Sequence, residues 1–305
     1  MAFDLTDPLV IGISSRALFD LEKENALFDR EGLAAYEAYQ VSHEGEILRR
    51  GSAFPLVRAF LSLNELQEKR LVEVIVMSRN SPNTSLRIFN SIKSYGLDIT
   101  RAALTGGAQM TPYLKAFKTD LFLSAHPEDV KEAIDSDIAA GRILPGSFPT
   151  DPGNGIGQIR IAFDGDAVLF SAEAERIYKQ QGMEAFKSSE SSLADVPLKE
   201  GPFAKFLKTI AHIQSLFAER ESSPIRTALV TARNAPAHER AIKTLRYWNV
   251  RVDEAFFLGG VSKTEVLSAF GAHIFFDDQT IHAEPASAVV PSAVVPYKEG
   301  DDPNR

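Results

Sequence analysis

Short apolar runs alternate with longer amphipathic segments along the whole chain. The apolar runs have the length of buried strands, and they fall near 9–14, 72–77, 120–124, 158–164, 226–231, 255–258 and 273–277, with a late candidate at Val294-Val295. The amphipathic segments have helical periodicity, and they fall near 30–42, 54–68, 82–95, 127–140, 172–181, 202–218, 235–248 and 263–270. Strands that alternate with helices predict an α/β fold with a mainly parallel sheet.

The second half of the chain repeats the pattern of the first at a nearly constant separation. Ile11–Leu18 aligns without gaps on Ile161–Val168, which lies 150 residues later. Val76–Pro82 aligns in the same way on Val230–Pro236, which lies 154 residues later. The similar offsets indicate an internal duplication.

The clearest chemical motif is Ile161–Phe170, in which an apolar run delivers two aspartates and then becomes apolar again. Strand alternation points Asp164 and Asp166 to the same side, and Gly165 between them allows a sharp turn. Two carboxylates at one strand end repel each other unless a cation lies between them. The motif therefore predicts a site for a hard divalent ion, with Mg²⁺ as the best candidate. The alternative, a surface turn with two solvated acids, is disfavoured by the apolar flanks.

Three later segments end in the polar groups that such a site needs. Ala228–Thr231 is an apolar strand that ends in a hydroxyl, and His273–Asp278 is an apolar strand that ends in two acids. Gly259–Thr264 is a glycine turn that brings Lys263 to the start of a helix. Because ligands of open parallel sheets bind at the carboxyl ends of the strands, we expect these groups to meet the two aspartates at one edge.

This order of motifs resembles the haloacid dehalogenase superfamily of Mg²⁺-dependent phosphatases and, within it, the AMP-preferring cytosolic 5′-nucleotidase type I family. The segments that carry the resemblance are SSRALFD (14–20), TGG (105–107), YLKA (113–116), FDGDAVLFS (163–171), PIRTALVTAR (224–233), GGVSK (259–263) and HIFFDDQ (273–279). The resemblance runs from about residue 9 to the proline-rich tail. Asp-x-Asp alone is a weak signal, whereas the whole set of motifs is specific.

The resemblance implies a Rossmann-like haloacid dehalogenase fold in residues 151–305, and the internal repeat implies a degenerate α/β copy of it in residues 1–150. A small helical cap is expected as an insertion near 171–224. Within the cap, the polar stretch Ser188–Asp195 is interpreted as a loop. The segment 144–157, which is rich in glycine and proline, is interpreted as the linker between the two domains.

The resemblance also implies catalytic roles for four residues. Asp164 is the expected nucleophile, which forms an aspartyl-phosphate, and Asp166 is the expected general acid and then general base. Thr231 is expected to donate its hydroxyl to a phosphoryl oxygen. Lys263 is expected to neutralise the phosphate and Asp164 together, and its alternative is a solvated lysine in the first turn of a helix.

Mg²⁺ is the expected cofactor, and the resemblance implies its ligands. Asp164 and Asp277 are expected to bind the ion directly, and Asp166 to bind it through the main-chain carbonyl oxygen. Asp278 is expected to hold it through a water molecule or a hydrogen bond. For Asp278, a helix cap after the strand is the alternative.

Substrate contacts are expected from both halves of the chain. Those near the phosphate are Thr231, Ala232, Arg233 and Lys263. Ser14, Arg16 and Asn80 of the first half would contact a base, a ribose or a regulatory nucleotide, and the alternative is a structural remnant of the duplication. Arg233 recurs in the alignment as Arg79, which favours a shared turn geometry. The aromatic candidates for stacking on a base, each with core packing as the alternative, are Tyr178, Phe186 and Phe203.

The first copy lacks the acids of the second. The aligned replacements are Ser14 for Asp164, Arg16 for Asp166, Met77 for Thr231, Met110 for Lys263 and Ser124-Ala125 for Asp277-Asp278. Without these carboxylates the first copy cannot hold Mg²⁺ in the same manner.

Composition narrows the classes of function. The 305 residues include no cysteine, which excludes disulfides and thiolate nucleophiles, and the six histidines lack the spacing of a zinc hydrolase. The net charge of −8 argues against nucleic acid as a partner. The sequence has neither a transmembrane stretch nor a secretory signal pattern, so we expect a cytoplasmic protein without a membrane partner. A homo-oligomer is compatible with the sequence.

The combined hypothesis is a Mg²⁺-dependent 5′-nucleotidase that hydrolyses nucleoside 5′-monophosphates, with AMP and other purine nucleotides first, to nucleoside and phosphate. A nucleotide effector is a further candidate partner. Two alternatives stay open. One is a phosphatase for sugar phosphates or another small metabolite, and the other is a non-catalytic nucleotide sensor that uses the first copy as its binding module.

Overall fold

The computed structural model describes residues 4–146, 157–219 and 223–303. In these ranges the strands are β1 Leu9–Ile13, β2 Phe19–Asp20, β3 Arg49–Arg50, β4 Val72–Ser78, β5 Arg101–Leu104, β6 Leu121–Ser124, β7 Ala139–Ile143, β8 Ile159–Phe163, β9 Ile225–Thr231, β10 Glu254–Phe257, β11 Ile274–Asp277 and β12 Ser292–Val294. The helices are α1 Ser15–Leu18, α2 Glu22–Ser42, α3 Phe54–Ser62, α4 Leu86–Ser94, α5 Thr111–Ala116, α6 Pro127–Asp135, α7 Glu173–Ser192, α8 Ala204–Ser215, α9 His238–Tyr247, α10 Lys263–Phe270 and α11 Thr280–Ala286. Within the same ranges, no helix has the length and apolar content that a bilayer crossing requires.

One ten-stranded sheet in the described ranges runs through both halves of the chain, in the order β10-β9-β8-β11-β12-β7-β6-β1-β4-β5. Neighbouring strands are parallel except at the junction of β12 and β7, where they are antiparallel. The prediction of an α/β fold with a mainly parallel sheet is therefore confirmed. Most of the predicted linker, residues 147–156, lies outside the described residues, and the domain boundary stays a prediction.

Each half of the sheet has the same internal order of strands. Counted from the junction, the first half runs β7-β6-β1-β4-β5 and the second runs β12-β11-β8-β9-β10. Because the junction is antiparallel, the carboxyl ends of the two halves face opposite edges of the sheet. Ligand sites at strand ends would therefore lie on opposite sides of the molecule.

The pairing register corrects the sequence alignment by one residue. Ile13 pairs with Val76 in the first half, and Phe163 pairs with Leu229 in the second, so β4 and β9 are 153 residues apart. Ser78, not Met77, is therefore the counterpart of Thr231. The hydroxyls of Ser78 and Thr231 each accept a hydrogen bond from the main-chain N–H two residues later, at 3.1 and 3.2 Å. The sequence alignment is one residue out because short apolar strands resemble one another.

The helices and short strands differ from the prediction where local signals are weak. The predicted helix 127–140 ends at Asp135, and the chain turns through Asp137 at a φ of 62° into β7. β5 and β7 were missed because they are short and poor in β-branched residues. Helices α2 and α7 are longer than predicted, and each bends at a glycine, Gly32 at φ 80° and Gly182 at φ 84°.

An aromatic cluster supports the strand ends of the second half. The rings of Phe163 and Phe276 stack with centroids 5.7 Å apart, and Phe203 lies 4.6 Å from Phe276. All three side chains are fully buried. Phe203 is therefore a core residue and not a platform for a base.

We predict that Gly201→Ala destabilises the second half by about 1–3 kcal/mol, the usual range for overpacking. A Cβ at this position would lie 2.4 Å from the carbonyl oxygen of Phe170 and 2.5 Å from that of Val168, and main-chain atoms cannot rotate away. Chemical denaturation measures the free energy of unfolding. Gly45→Ala is the control, since its Cβ meets nothing within 4 Å. Similar losses in both variants would contradict the prediction.

Candidate active site

The carboxyl ends of β8 and β11 bring the predicted acids together. Asp164 directly follows β8, and its main-chain N–H donates a 2.8 Å hydrogen bond to the carbonyl oxygen of Phe276. Asp277 is the last residue of β11, and Phe163 pairs in register with Phe276. Because the two strands are parallel neighbours, their terminal acids share one edge of the sheet.

Three carboxylates form a buried cluster at this edge. One oxygen from each of Asp164, Asp277 and Asp278 lies within 4.8 Å of the others, and all three residues are buried. Asp278 Oδ1 is buried without a hydrogen-bond partner among the described residues. A buried acceptor is unfavourable unless a cation, a water molecule or a donor satisfies it. This oxygen donor set fits a hard divalent ion, so the cluster could hold a metal.

Asp166 is not part of this cluster through its side chain. Both of its carboxylate oxygens accept hydrogen bonds from Arg233, at 2.8 Å from Nε and 2.7 Å from Nη2. The expected metal contact of Asp166 uses the main-chain carbonyl oxygen, and that contact stays a prediction.

Lys263 lies between two of the clustered carboxylates. Its Nζ donates to Asp164 Oδ1 at 2.7 Å and to Asp277 Oδ2 at 2.6 Å. Ser262 caps α10 by accepting a hydrogen bond from the N–H of Thr264, which places Lys263 in the first turn. The lysine side chain is only 4% exposed, so the alternative of a solvated surface lysine is wrong.

Burial shifts the proton affinity of these groups. Burial raises the pKa of Asp164 to about 7, while Lys263 opposes the rise and Asp277 adds to it. Burial also raises the pKa of Asp278, and the neighbouring acids Asp164, Asp277 and Glu175 raise it further. For Lys263, burial alone would lower the pKa, but Asp164 and Asp277 reverse the effect and raise it. Burial therefore disfavours the charged forms of Asp164 and Asp278, whereas the charged form of Lys263 is favoured by its two partners.

A second buried network connects the site to α7. Arg233 contacts Glu190 as well as Asp166, and Arg240 Nη1 donates to Glu190 Oε1 at 2.8 Å. The side chains of Glu190 and Arg233 are 0% and 1% exposed. Glu190 lies in the stretch Ser188–Asp195 that is interpreted as a loop, and that interpretation is wrong for residues 188–192, which belong to α7.

Sequence reasoning missed two further residues at the acid cluster. Tyr297, in the tail after β12, donates its hydroxyl to Asp278 Oδ2 and also lies 3.1 Å from Glu175 Oε2. Gln279 Nε2 donates to Glu175 Oε1 at 3.1 Å. Glu175 and Tyr297 come from distant parts of the chain, and no local pattern in the sequence joins them to Asp278 and Gln279.

The other predicted contacts of the second half lie around the same edge. Thr231 is buried, and its hydroxyl is 3.2 Å from the point that a Cβ on Gly165 would occupy. Ala232 follows it and is exposed. Tyr178 on α7 is 46% exposed, and its ring meets that of Phe186 edge-on at 6.3 Å. Tyr178 is thus the predicted aromatic that is available to a ligand.

The predicted first-copy residues lie at the other edge of the sheet. Ser14 and Arg16 follow β1, and Asn80 follows β4, whereas Asp164 follows β8. Five strand spacings separate β1 from β8, which is about 24 Å along the sheet at about 4.8 Å per spacing. The structure does not bring these residues to the acid cluster. The counterpart of Arg233 is Asn80, so the alignment of Arg233 with Arg79 is wrong, whereas the turn geometry itself is shared, through the equivalent hydrogen bonds of Ser78 and Thr231.

Comparison with known proteins decides the family. The sequence model of the 5′-nucleotidase family matches residues 1–302. The chain belongs to the 5′-nucleotidase family. It is 39% identical over 288 residues to a human protein named cytosolic 5′-nucleotidase 1B, and the match covers 91% of this chain and 47% of the relative. The chain thus spans about half the length of the curated relative that it matches. No solved structure matches it.

We predict that Glu190→Ala strongly destabilises this 5′-nucleotidase family member, because it leaves two buried guanidinium groups without their shared carboxylate. Removing one partner of a buried ion pair costs about 3–5 kcal/mol. Urea unfolding measures the change. Glu239→Ala, which removes an exposed partner of Lys243, is the control and should cost less than about 1 kcal/mol. Equal unfolding midpoints would contradict the importance of the buried network.

We also predict that, without metal, the difference in stability between Asp164→Asn and wild type depends on pH. The pKa of Asp164 is about 7 in the folded protein, compared with 3.8 for an aspartate in water. Between these two pH values the folded state therefore binds more protons than the unfolded state. The contribution of Asp164 to stability is therefore full at low pH and is lost as the pH rises towards about 7. Asparagine does not titrate, so the melting temperature of the variant relative to wild type should rise between about pH 5 and about pH 8 in a chelator. A constant difference would argue against the raised pKa.

Proposed function

We propose that this protein is a Mg²⁺-dependent 5′-nucleotidase that converts nucleoside 5′-monophosphates, AMP first, into nucleoside and phosphate. The observation that carries the proposal is the buried cluster of Asp164, Asp277 and Asp278 around Lys263, at the ends of neighbouring parallel strands. Membership of the 5′-nucleotidase family supports the same reaction.

The charge balance of the site supports a divalent cation. Five acids and three basic side chains make up the two networks, and they are Asp164, Asp166, Glu190, Asp277, Asp278, Lys263, Arg233 and Arg240. Each of the basic side chains already pairs with an acid, so a phosphate dianion would meet a net negative site. Mg²⁺ held by Asp164, Asp277 and Asp278 would supply the positive charge that the phosphoryl oxygens need.

Different side chains of the site then carry out the phosphoryl transfer and the proton transfers. A carboxylate oxygen of Asp164 bonds to phosphorus while the bond to the 5′-oxygen breaks. Thr231 donates its hydroxyl to a phosphoryl oxygen, and Lys263 balances part of the phosphoryl charge. Asp166 gives its proton to the leaving 5′-oxygen and later accepts one from the water that releases phosphate. Both oxygens of Asp166 accept hydrogen bonds from Arg233 in this structure, so Arg233 is the residue that orients Asp166 in this proposal.

The position of helix α7 supports the proposal that the substrate carries an aromatic base. It contacts the two networks at both ends, through Glu175 near Asp278 and through Glu190 at Arg233. The exposed ring of Tyr178 lies between these two contacts along the helix, and we infer from this that it faces the site. Stacking of a base on such a ring contributes about 1–3 kcal/mol, which a sugar phosphate cannot gain.

Phosphate release from a panel of esters tests the proposal. We expect AMP hydrolysis with Mg²⁺, its loss in a chelator and slower hydrolysis of sugar phosphates. Asp164→Asn should reduce turnover by at least roughly three orders of magnitude while the protein still folds, because only the nucleophile is removed.

Three results would argue against it. A preference for sugar phosphates over AMP would favour the metabolite phosphatase. Nucleotide binding without phosphate release would favour the sensor. An Asp164→Asn variant with more than about a tenth of wild-type turnover would exclude Asp164 as the nucleophile.

A further inference from the structure

A cavity of about 540 Å³ lies at the edge of the sheet opposite to the acid cluster. Its floor includes Ser14, Ser78 and Asn80 at the ends of β1 and β4, and its wall includes Phe28 and Tyr36 of α2. We refer to this cavity as the first-copy pocket. It occupies the same place in the first half as the acid cluster does in the second.

The helices over the two sites are also equivalent. Phe28 on α2 and Tyr178 on α7 lie 150 residues apart and are 45% and 46% exposed. Each meets a second ring edge-on, Tyr36 at 5.9 Å in the first half and Phe186 at 6.3 Å in the second. The first-copy pocket therefore keeps the aromatic wall that we assign to base binding in the second half.

The first-copy pocket lacks the groups that bind a phosphate in the second half. Ser14, Met110 and Ser124 stand at the positions of the nucleophile, the lysine and the metal-binding acid of β11. Its two arginines are already paired, Arg16 with Glu22 at 2.6 Å and Arg79 with Asp129 at 2.7 Å. Four acidic residues line the pocket beside these two arginines, and they are Glu24, Asp29, Glu37 and Asp129. An added anion would therefore meet a net negative surface.

The pocket does offer groups for an uncharged aromatic ligand with hydroxyls. Asn80 Oδ1 accepts a 3.1 Å hydrogen bond from the Tyr36 hydroxyl, whereas Asn80 Nδ2 is buried without a partner among the described residues. A turn of the Asn80 amide towards the cavity would let a ring nitrogen or a ribose oxygen of a ligand satisfy this donor. The exposed ring of Phe28 can pack on a base beside the half-buried ring of Tyr36, and Ser14 and Ser15 add hydroxyls to the floor.

We propose that the first-copy pocket binds a nucleoside through its base and sugar, without recognition of a phosphate. The choice of a nucleoside over another uncharged aromatic ligand rests on the proposed function, of which a nucleoside is the product. The pocket is then a second ligand site, which lies five strand spacings from the acid cluster and at the opposite edge of the sheet.

Equilibrium dialysis of adenosine against the full chain tests the proposal. Phe28→Ala should weaken one adenosine-binding event at least tenfold. Tyr178→Ala, the matched change on α7, should leave that event unchanged. Both side chains are about half exposed, and melting temperatures check that both variants fold. Loss of binding in Tyr178→Ala together with unchanged binding in Phe28→Ala would overturn the proposal, as would no measurable binding to wild type.

Photolabelling with 2-azidoadenosine gives a readout that does not depend on any variant. We expect the label on peptides from residues 22–42. Label confined to residues 173–192 would overturn the proposal.

Dialysis of AMP and of inorganic phosphate tests the absence of phosphate recognition. The proposal expects AMP to bind the first-copy pocket no more tightly than adenosine, and phosphate not to compete. At least tenfold tighter AMP binding that Arg16→Ala removes would overturn it. Failure of the proposed function would look different, because adenosine binding that depends on Phe28 would persist in a protein without AMP hydrolysis.

Discussion

The antiparallel pairing of β7 and β12 is the contact on which the architecture depends. Ala293 pairs with Ile143, and the N–H of Leu144 donates a 2.9 Å hydrogen bond to the carbonyl oxygen of Ser292. The pairing requires a glycine at position 141, because a Cβ on Gly141 would lie 2.9 Å from the Cβ of Ala293. This contact merges two five-stranded halves into one sheet. It also sends their carboxyl ends to opposite edges, so the duplicated fold has two separate places for a ligand.

Much of the fold and of the acid cluster follows from local sequence patterns. Apolar runs identify the central strands, and the rule that ligands bind at the carboxyl ends of parallel strands places Asp164 beside Asp277. The direction of the β7–β12 pairing is not a local property, which is why Ser14 was expected near the substrate of the acid cluster. The partners of Arg233 and Asp278 were missed for the same reason, since tertiary packing alone brings distant residues such as Glu190 and Tyr297 to them.

In the second half, the charges around Asp166 depend on one another. Arg233 is buried and neutralised by Asp166 and Glu190, and Glu190 in turn pairs with Arg240. A buried charge is strongly unfavourable without its partner, so none of these side chains is tolerated alone. The network also joins the proposed general acid to α7. The position of the helix over the site and the environment of Asp166 are thus set by the same contacts.

In the first half the counterpart of Asp166 is not an acid, and the charges around it differ as well. Its counterpart of Asp166 is Arg16, whose side chain pairs with Glu22 near the surface. The counterparts of Arg233 and Glu190 are the neutral residues Asn80 and Gln40. The counterpart of Arg240 is Arg87, which pairs with Glu24 instead. The buried charges have therefore been replaced together, as the unfavourable burial of an unpaired charge requires. What remains at the strand ends is a polar floor under an aromatic wall, and the buried pair of Arg87 with Glu24 joins the helix that carries this wall, α2, to α4.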